Sequence, residues 1–157
     1  MALKSKKIIY AIEKSIKIKS QFVINDEREN LKNASSRGIL NFGHTFGHAL
    51  ESLNNYKSSL NHGEAISIGM IIAAKISYLH GNLPKNELDE IVYHFKSCGL
   101  PIKSNLIKKE KFYRLLINDK KNQNGKINLI LLNKIGEAFY AKNFELNQLK
   151  KLVLQTL

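Results

Sequence analysis

Three of the five histidines fall within nineteen residues, in Asn41-Phe42-Gly43-His44-Thr45-Phe46-Gly47-His48-Ala49 and His62-Gly63-Glu64-Ala65. On a helix, His44 and His48 stand four residues apart and project from one face, where both can address the same ion or ligand. His62 falls at the start of the next apolar segment, so an antiparallel helix pair joined by residues 54–61 brings it near His44. Neutral imidazole is a common zinc ligand, and a catalytic zinc has three protein ligands with one position open. For a histidine taken singly, a packing or capping role is the simpler explanation. Here each of the three has a glycine beside it, at 43, 47 and 63. A glycine within a helix costs about 1 kcal/mol relative to alanine, so close approach of a backbone or a ligand is the expected compensation. There is no His-Glu-x-x-His, which argues against a zinc protease, and the single Cys98 argues against a zinc finger.

Hydrophobic spacing defines the elements that must carry these side chains. Ile8, Ile12 and Ile16 recur every four residues among lysines, which predicts an amphipathic helix over 4–24. Residues 25–37 are polar and turn-rich, a loop or broken helix. A helix over 41–53 follows, and then residues 63–79, apolar on almost every side, as for a helix buried within a bundle. Pro84 suits the start of a helix over 85–97 that Gly99 and Pro101 end. A short helix over 109–117, a turn cluster at 122–125, a hairpin of 127–132 with 138–141 about Gly136, and a helix over 145–154 complete the chain. The expected fold class is mainly α, an irregular helical bundle with a small β-hairpin near the C-terminus.

The 157 residues suffice for one domain with a real core and are too few for two typical enzyme domains, so a single domain over 1–157 is expected. Apolar residues at 43% and charged residues at 24% exclude wholesale disorder and collagen-like or disulfide-scaffold classes. The longest apolar stretch, residues 65–79, is broken by Ser67, Lys75 and Ser77 and falls short of the roughly 20 residues of a membrane span, so no membrane partner is expected. With one cysteine and no charged-then-apolar leader, a cytoplasmic setting is the expectation. The 25 basic residues against 13 acidic ones, a formal charge of +12, call for anionic partners. Only three are arginines and the lysines are scattered, which favours small anions such as phosphates over nucleic acid.

At its histidines the chain resembles the C-terminal domain of the 3-dehydroquinate synthases, zinc- and NAD-dependent sugar-phosphate cyclases. The resemblance rests on Leu40-Asn41-Phe42-Gly43-His44-Thr45-Phe46-Gly47-His48-Ala49-Leu50-Glu51, His62-Gly63-Glu64-Ala65 and Gly69-Met70. It extends upstream to Lys19 with Asp26-Glu27-Arg28-Glu29, and downstream to Asp119-Lys120-Lys121-Asn122, Gly125-Lys126, Leu131-Leu132 and Ile135-Gly136. The resemblance implies that His44 and His62 bind zinc, and that His48 contacts the substrate and its phosphate. It assigns polar substrate contacts to Lys19, Arg37, Asn41 and Glu29, and a late phosphate-binding lysine to one of Lys120, Lys121 or Lys126. The segment between Glu29 and Arg37 is about four residues longer than the family pattern.

The implied reaction converts 3-deoxy-arabino-heptulosonate 7-phosphate to 3-dehydroquinate and phosphate, by transient oxidation with NAD, phosphate elimination, reduction and aldol closure. Other sugar-phosphate cyclases, the deoxy-scyllo-inosose and epi-valiolone synthases, share the histidine signature. A reading of a different class is a non-catalytic basic helical module. The family's NAD-binding N-terminal domain and its third, glutamate, zinc ligand have no counterpart here; Glu13, the acidic residue of the first helix, stands in the wrong context. The expectation is therefore a fragment or one half of a split enzyme, inactive alone, that works with an NAD-binding partner chain or as a homodimer.

Overall fold

The computed structural model describes residues 2–31, 33, 35–55, 59–117 and 126–157, with side chains from residue 6 onward. Its helices are α1 (Ala2–Asn25), α2 (His44–Leu53), α3 (His62–Leu79), α4 (Lys85–Ser97), α5 (Glu110–Ile117) and α6 (Leu146–Gln155), with 3-10 turns at Arg37–Asn41 and Asn105–Lys108. Strands β1 (Ile127–Lys134) and β2 (Glu137–Phe144) form an antiparallel hairpin. This is the mainly helical architecture with a late hairpin that the hydrophobic spacing predicts. The candidates Lys120 and Lys121 and the turn cluster at 122–125 lie outside the described residues. The chain divides into two compact units, Met1–Leu40 and Asn41–Leu157.

In the first unit, α1 runs without a glycine or proline to interrupt it. The periodic isoleucines that predict a buried stripe are solvent-exposed: Ile8, Ile12 and Ile16 all lie on open surface. Within this unit the described residues after α1 form turns and most of the Arg37–Asn41 3-10 turn, and they leave the three isoleucines uncovered. That segment is organised by Asp26, which is buried. Its Oδ1 accepts from the Asn30 and Leu31 amides at 2.8 and 3.2 Å, and its Oδ2 from the Arg37 amide and the Ser36 hydroxyl, each at 3.1 Å. Burial alone raises the Asp26 carboxyl pKa; the donated hydrogen bonds from Leu31, Asn30, Arg37 and Ser36 outweigh it, and the net displacement is downward.

The second unit is built around α3. An Asn61–Glu64 capping box starts this helix: the Asn61 side chain accepts from the Glu64 amide at 3.0 Å, and the Glu64 carboxylate from the Asn61 amide at 2.9 Å. Ile68, Ile72 and Ile76 of α3 pack with Phe46 and Leu50 of α2, Phe112 and Leu116 of α5, Leu129 and Leu131 of β1, and Leu149 and Val153 of α6. Ala74, Leu83, Leu88 and Leu132 form a smaller cluster beneath α4. The polar interruptions of the apolar stretch all have partners. Ser67 donates to the Pro101 carbonyl at 2.8 Å and Lys75 to the Thr156 carbonyl; Ser77 donates to Ala73 and accepts from the Leu132 amide at 3.0 Å. Each tethers a peripheral segment to the central helix, and each satisfies a polar group inside the fold.

Helix α4 ends as Gly99 and Pro101 predict. Gly99 takes a left-handed φ of 72°, and the Gly99 and Leu100 amides return to the Lys96 and Phe95 carbonyls. The hairpin is longer than the apolar run alone indicates, pairing Ile127 with Phe144 at one end and Lys134 with Glu137 at the other. A bulge lies between the Ile127 and Leu129 pairs, where Asn143 has a left-handed φ of 67° and its amide donates to the Asn128 side chain. Among the described residues, no helix is long and apolar enough to cross a membrane.

Candidate metal site

The histidines are positioned by a backbone-to-backbone contact between α2 and α3. A Cβ added to Gly43 would stand 2.4 Å from the Met70 amide nitrogen, and one added to Gly69 would stand 2.2 Å from the Gly43 carbonyl oxygen. At Gly47 it would meet Ile66 Cδ1 at 2.5 Å. Glycine is required at Gly43 and Gly69 because two main chains touch, whereas at Gly47 the nearest atom is the tip of the Ile66 side chain and the main chain of α3 stands at 3.1–3.3 Å. The pairs Gly43 with Met70, Gly47 with Ile66 and Glu51 with His62 are successive rungs, four residues apart on each helix, of one antiparallel crossing. Of the two expectations for these glycines, close approach of a backbone holds at Gly43 and Gly47. Gly63 has no such need, since a Cβ there would find only Asn61 Oδ1 at 3.5 Å.

The start of α2 differs from the spacing-based expectation of a helix from residue 41. Residues Arg37–Asn41 form a 3-10 turn, and Gly43, with φ 78°, is the N-cap, so α2 starts at His44. The left-handed Gly43 breaks the helix where its carbonyl meets Gly69. His44 and His48 still share a face. Their ring centroids are 5.4 Å apart, His44 and His62 are 6.1 Å apart, and His48 and His62 are 6.3 Å apart. The three rings form one cluster, as the helix-pair expectation requires.

Two of these rings are held at Nδ1. His62 Nδ1 is 3.0 Å from Glu51 Oε1, and His44 Nδ1 is 3.3 Å from the Phe42 carbonyl oxygen. With Nδ1 as the protonated donor, the lone pair of each neutral ring resides on Nε2. Two imidazoles on one zinc at about 2.0–2.1 Å place their ring centroids about 5 Å apart at a tetrahedral angle; His44–His48 at 5.4 Å and His44–His62 at 6.1 Å both lie near that spacing. Among the described residues no group of three or more His, Cys, Asp or Glu side chains is placed so that it could hold a metal ion. The chemistry of the donors therefore fits two positions of a catalytic metal site, with further ligands to be supplied.

The remaining candidates are distributed. Asn41, the first residue of the second unit, ends the Arg37–Asn41 3-10 turn, and Lys126 is exposed beside the start of β1. Lys19, Glu29 and Arg37 belong to the first unit: Lys19 is exposed on α1, Glu29 has a left-handed φ of 54°, and the Arg37 guanidinium donates to the Glu27 carbonyl at 3.1 Å. Glu51 is a residue that motif reading passed over as a site residue. It follows His44 by seven and His48 by three, which puts it on their helix face, a signal available from spacing alone. Of the other two histidines, His80 stands against Phe144, and His94 lies beside Phe95 with its Nε2 3.8 Å from the Cys98 Sγ.

Residues 1–122 match the family described as 3-dehydroquinate synthase C-terminal. Relatives named 3-dehydroquinate synthase include that of Halorhodospira halophila, 38% identical over 137 residues, and that of Prochlorococcus marinus, 46% identical over 134. These alignments cover 87% and 85% of the chain but 37% and 36% of the two relatives. The chain thus spans little more than a third of the length of the curated relatives it matches. A solved 2-deoxy-scyllo-inosose synthase, complexed with carbaglucose-6-phosphate, NAD+ and Co2+, matches with a TM-score of 0.62 at 26% identity, over 77% of this chain and 35% of that one. A 2-epi-5-epi-valiolone synthase from Streptomyces hygroscopicus, with NAD+ and Zn2+ bound, shares the fold with a TM-score of 0.64 at 22% identity, over 74% of this chain and 32% of that one.

Proposed function

The chain belongs to the 3-dehydroquinate synthase family, and from that premise we propose that it supplies the metal-binding and phosphate-binding part of a 3-dehydroquinate synthase. The observation that carries this reading is the cluster of His44, His48 and His62 on two helices in backbone contact. His44 and His62 hold a divalent metal, zinc by preference, through Nε2. A third, carboxylate ligand comes from the part of the enzyme to which this chain does not correspond in its relatives. When bound, the metal supplies Lewis-acid polarisation of a substrate hydroxyl, and NAD, held mainly by that other part, supplies the reversible hydride acceptor.

The chain's own residues bind and orient the anionic substrate. His48, exposed beside the other two rings, donates to the substrate phosphate. Lys19, Arg37 and Asn41 make polar contacts to the sugar, with Glu29 accepting from hydroxyl groups. One of Lys120, Lys121 and Lys126 neutralises phosphate charge as it leaves. Fixed cations at a leaving phosphate stabilise the developing charge most where water is excluded. The excess of basic residues serves this anionic sugar phosphate, and the partner is an NAD-binding chain or domain, or a second copy.

The test is to assay the chain alone and with a nucleotide-binding half corresponding to the rest of its relatives, following phosphate release from 3-deoxy-arabino-heptulosonate 7-phosphate with NAD and Zn2+. Turnover to 3-dehydroquinate by the pair, none by the chain alone, and loss in His48→Ala are expected. Failure of the pair overturns the reading. The fold shared with inosose and valiolone synthases favours one second reading, a sibling cyclase. It predicts turnover of a different sugar phosphate to a different carbocycle.

A further inference from the structure

We propose that Glu51 is a positioning residue for His62, holding the imidazole in the tautomer that leaves Nε2 bare for the metal. The inference rests on the reading of His62 as a ligand and adds a residue to which no role has been assigned. Three observations carry it. Glu51 Oε1 is 3.0 Å from His62 Nδ1, a hydrogen-bonding distance. The Glu51 side chain is only 14% exposed whereas that of His62 is 61% exposed, so the carboxylate is the fixed partner and the ring the one that needs fixing. The contact is also the third rung of the crossing set by Gly43 with Met70 and Gly47 with Ile66, so main-chain packing dictates where Glu51 stands.

His62 is the first residue of α3, just after its N-cap, where few neighbours restrain an exposed ring. An unrestrained imidazole samples both tautomers and several χ2 angles, and each ligand conformer that is not the binding one weakens metal affinity. A carboxylate accepting from Nδ1–H removes the wrong tautomer and raises the basicity of Nε2. His44 has the same arrangement with a backbone carbonyl, that of Phe42, in place of the carboxylate. Glu64, the other carboxylate near His62, is engaged in the capping box.

The experiment uses the full chain, in wild-type form and as Glu51→Ala, Glu51→Gln and His62→Ala. Imidazole 15N shifts are recorded without metal at about pH 9, well above the ordinary imidazole pKa of about 6.5, and Co2+ affinity is measured by visible absorption. Circular dichroism of each variant checks that the helices are retained. The wild type should show His62 protonated at Nδ1, and Glu51→Ala should shift it to the Nε2–H form with Co2+ affinity down about 10–100-fold. Glu51→Gln keeps a carbonyl acceptor, so it should keep the tautomer and hold affinity within about tenfold of wild type.

An unchanged tautomer in Glu51→Ala overturns the proposal. So does a Glu51→Gln that loses Co2+ as completely as His62→Ala, which would make Glu51 a ligand. If the wild type takes up Co2+ and no variant, His62→Ala included, alters that uptake while the tautomer responds to Glu51 as stated, Glu51 positions His62 and the reading of His62 as a metal ligand is what fails.

Discussion

Two isoleucine-rich helices have opposite fates in this molecule. Helix α1 spaces its isoleucines among lysines and leaves them in solvent, with Ile12 52% exposed. Helix α3 spaces its own among Ala65, Gly69, Ala73 and Ala74 and buries Ile68, Ile71, Ile72 and Ile76, with Ile68 1% exposed. Residue type is the same and burial is not, because small residues let α2 and the hairpin close on α3, whereas lysines keep their charged ends in water. Chemistry follows the same division. The histidine cluster belongs to the helix pair whose backbones touch, where a ring can be held in place. The basic and polar candidates Lys19, Glu29 and Arg37 belong to the unit whose order depends on a few hydrogen bonds to one aspartate.

The contrast is broken most severely at Gly69. Gly69→Ala puts a methyl group into the Gly43 carbonyl, where both sides are main chain and neither can turn aside. A loss of about 3 kcal/mol or more is expected from urea unfolding followed by circular dichroism, with the histidine cluster disrupted in whatever folded protein remains. Next comes Ile68→Ala, expected to cost about 2–5 kcal/mol in the same measurement.

In the first unit the sharpest probe is Asp26. Because its folded-state pKa lies below the ordinary carboxylate value, its contribution is fully present above about pH 4 and lost as pH falls through the lowered value. The amide resonances of Asn30, Leu31 and Arg37 should therefore titrate together in acid, and lose that common transition in Asp26→Asn. The smallest effect is expected from Ile12→Ala, within about 0.5 kcal/mol of wild type. A cost there equal to that at Ile68 would erase the distinction between the two helices.

Much of this was legible in the sequence. The four-residue step from His44 to His48, and the apolar run after His62, define a helix pair with its histidines at one end. The capping and breaking residues Pro84, Gly99 and Gly136 fall where α4 begins and ends and where the hairpin turns. What was not legible depends on register between elements. Glycine beside histidine reads equally as room for a ligand or room for a backbone, and the pairing of Gly43 with Met70 is what distinguishes them. Glu51 has its role only because that same register brings it to His62. The stripe on α1 reads as a core face because periodicity reports which residues share a side, while burial also needs a surface to cover them. Asp26 falls in a segment quoted for the resemblance, but nothing there marks it as the organiser of residues 26–37, since three of its partners are backbone amides and the fourth is the Ser36 hydroxyl.

The most direct measurement is a Co2+ titration of the chain paired with the nucleotide-binding half that supplies the third ligand, read by visible absorption, in wild type, His44→Ala, His62→Ala and the control His80→Ala. One equivalent should bind at the histidine cluster of wild type and of His80→Ala, and be lost in both cluster variants. Equal uptake in all four proteins, or none in the wild type, would contradict the assignment of His44 and His62 as the metal-holding pair.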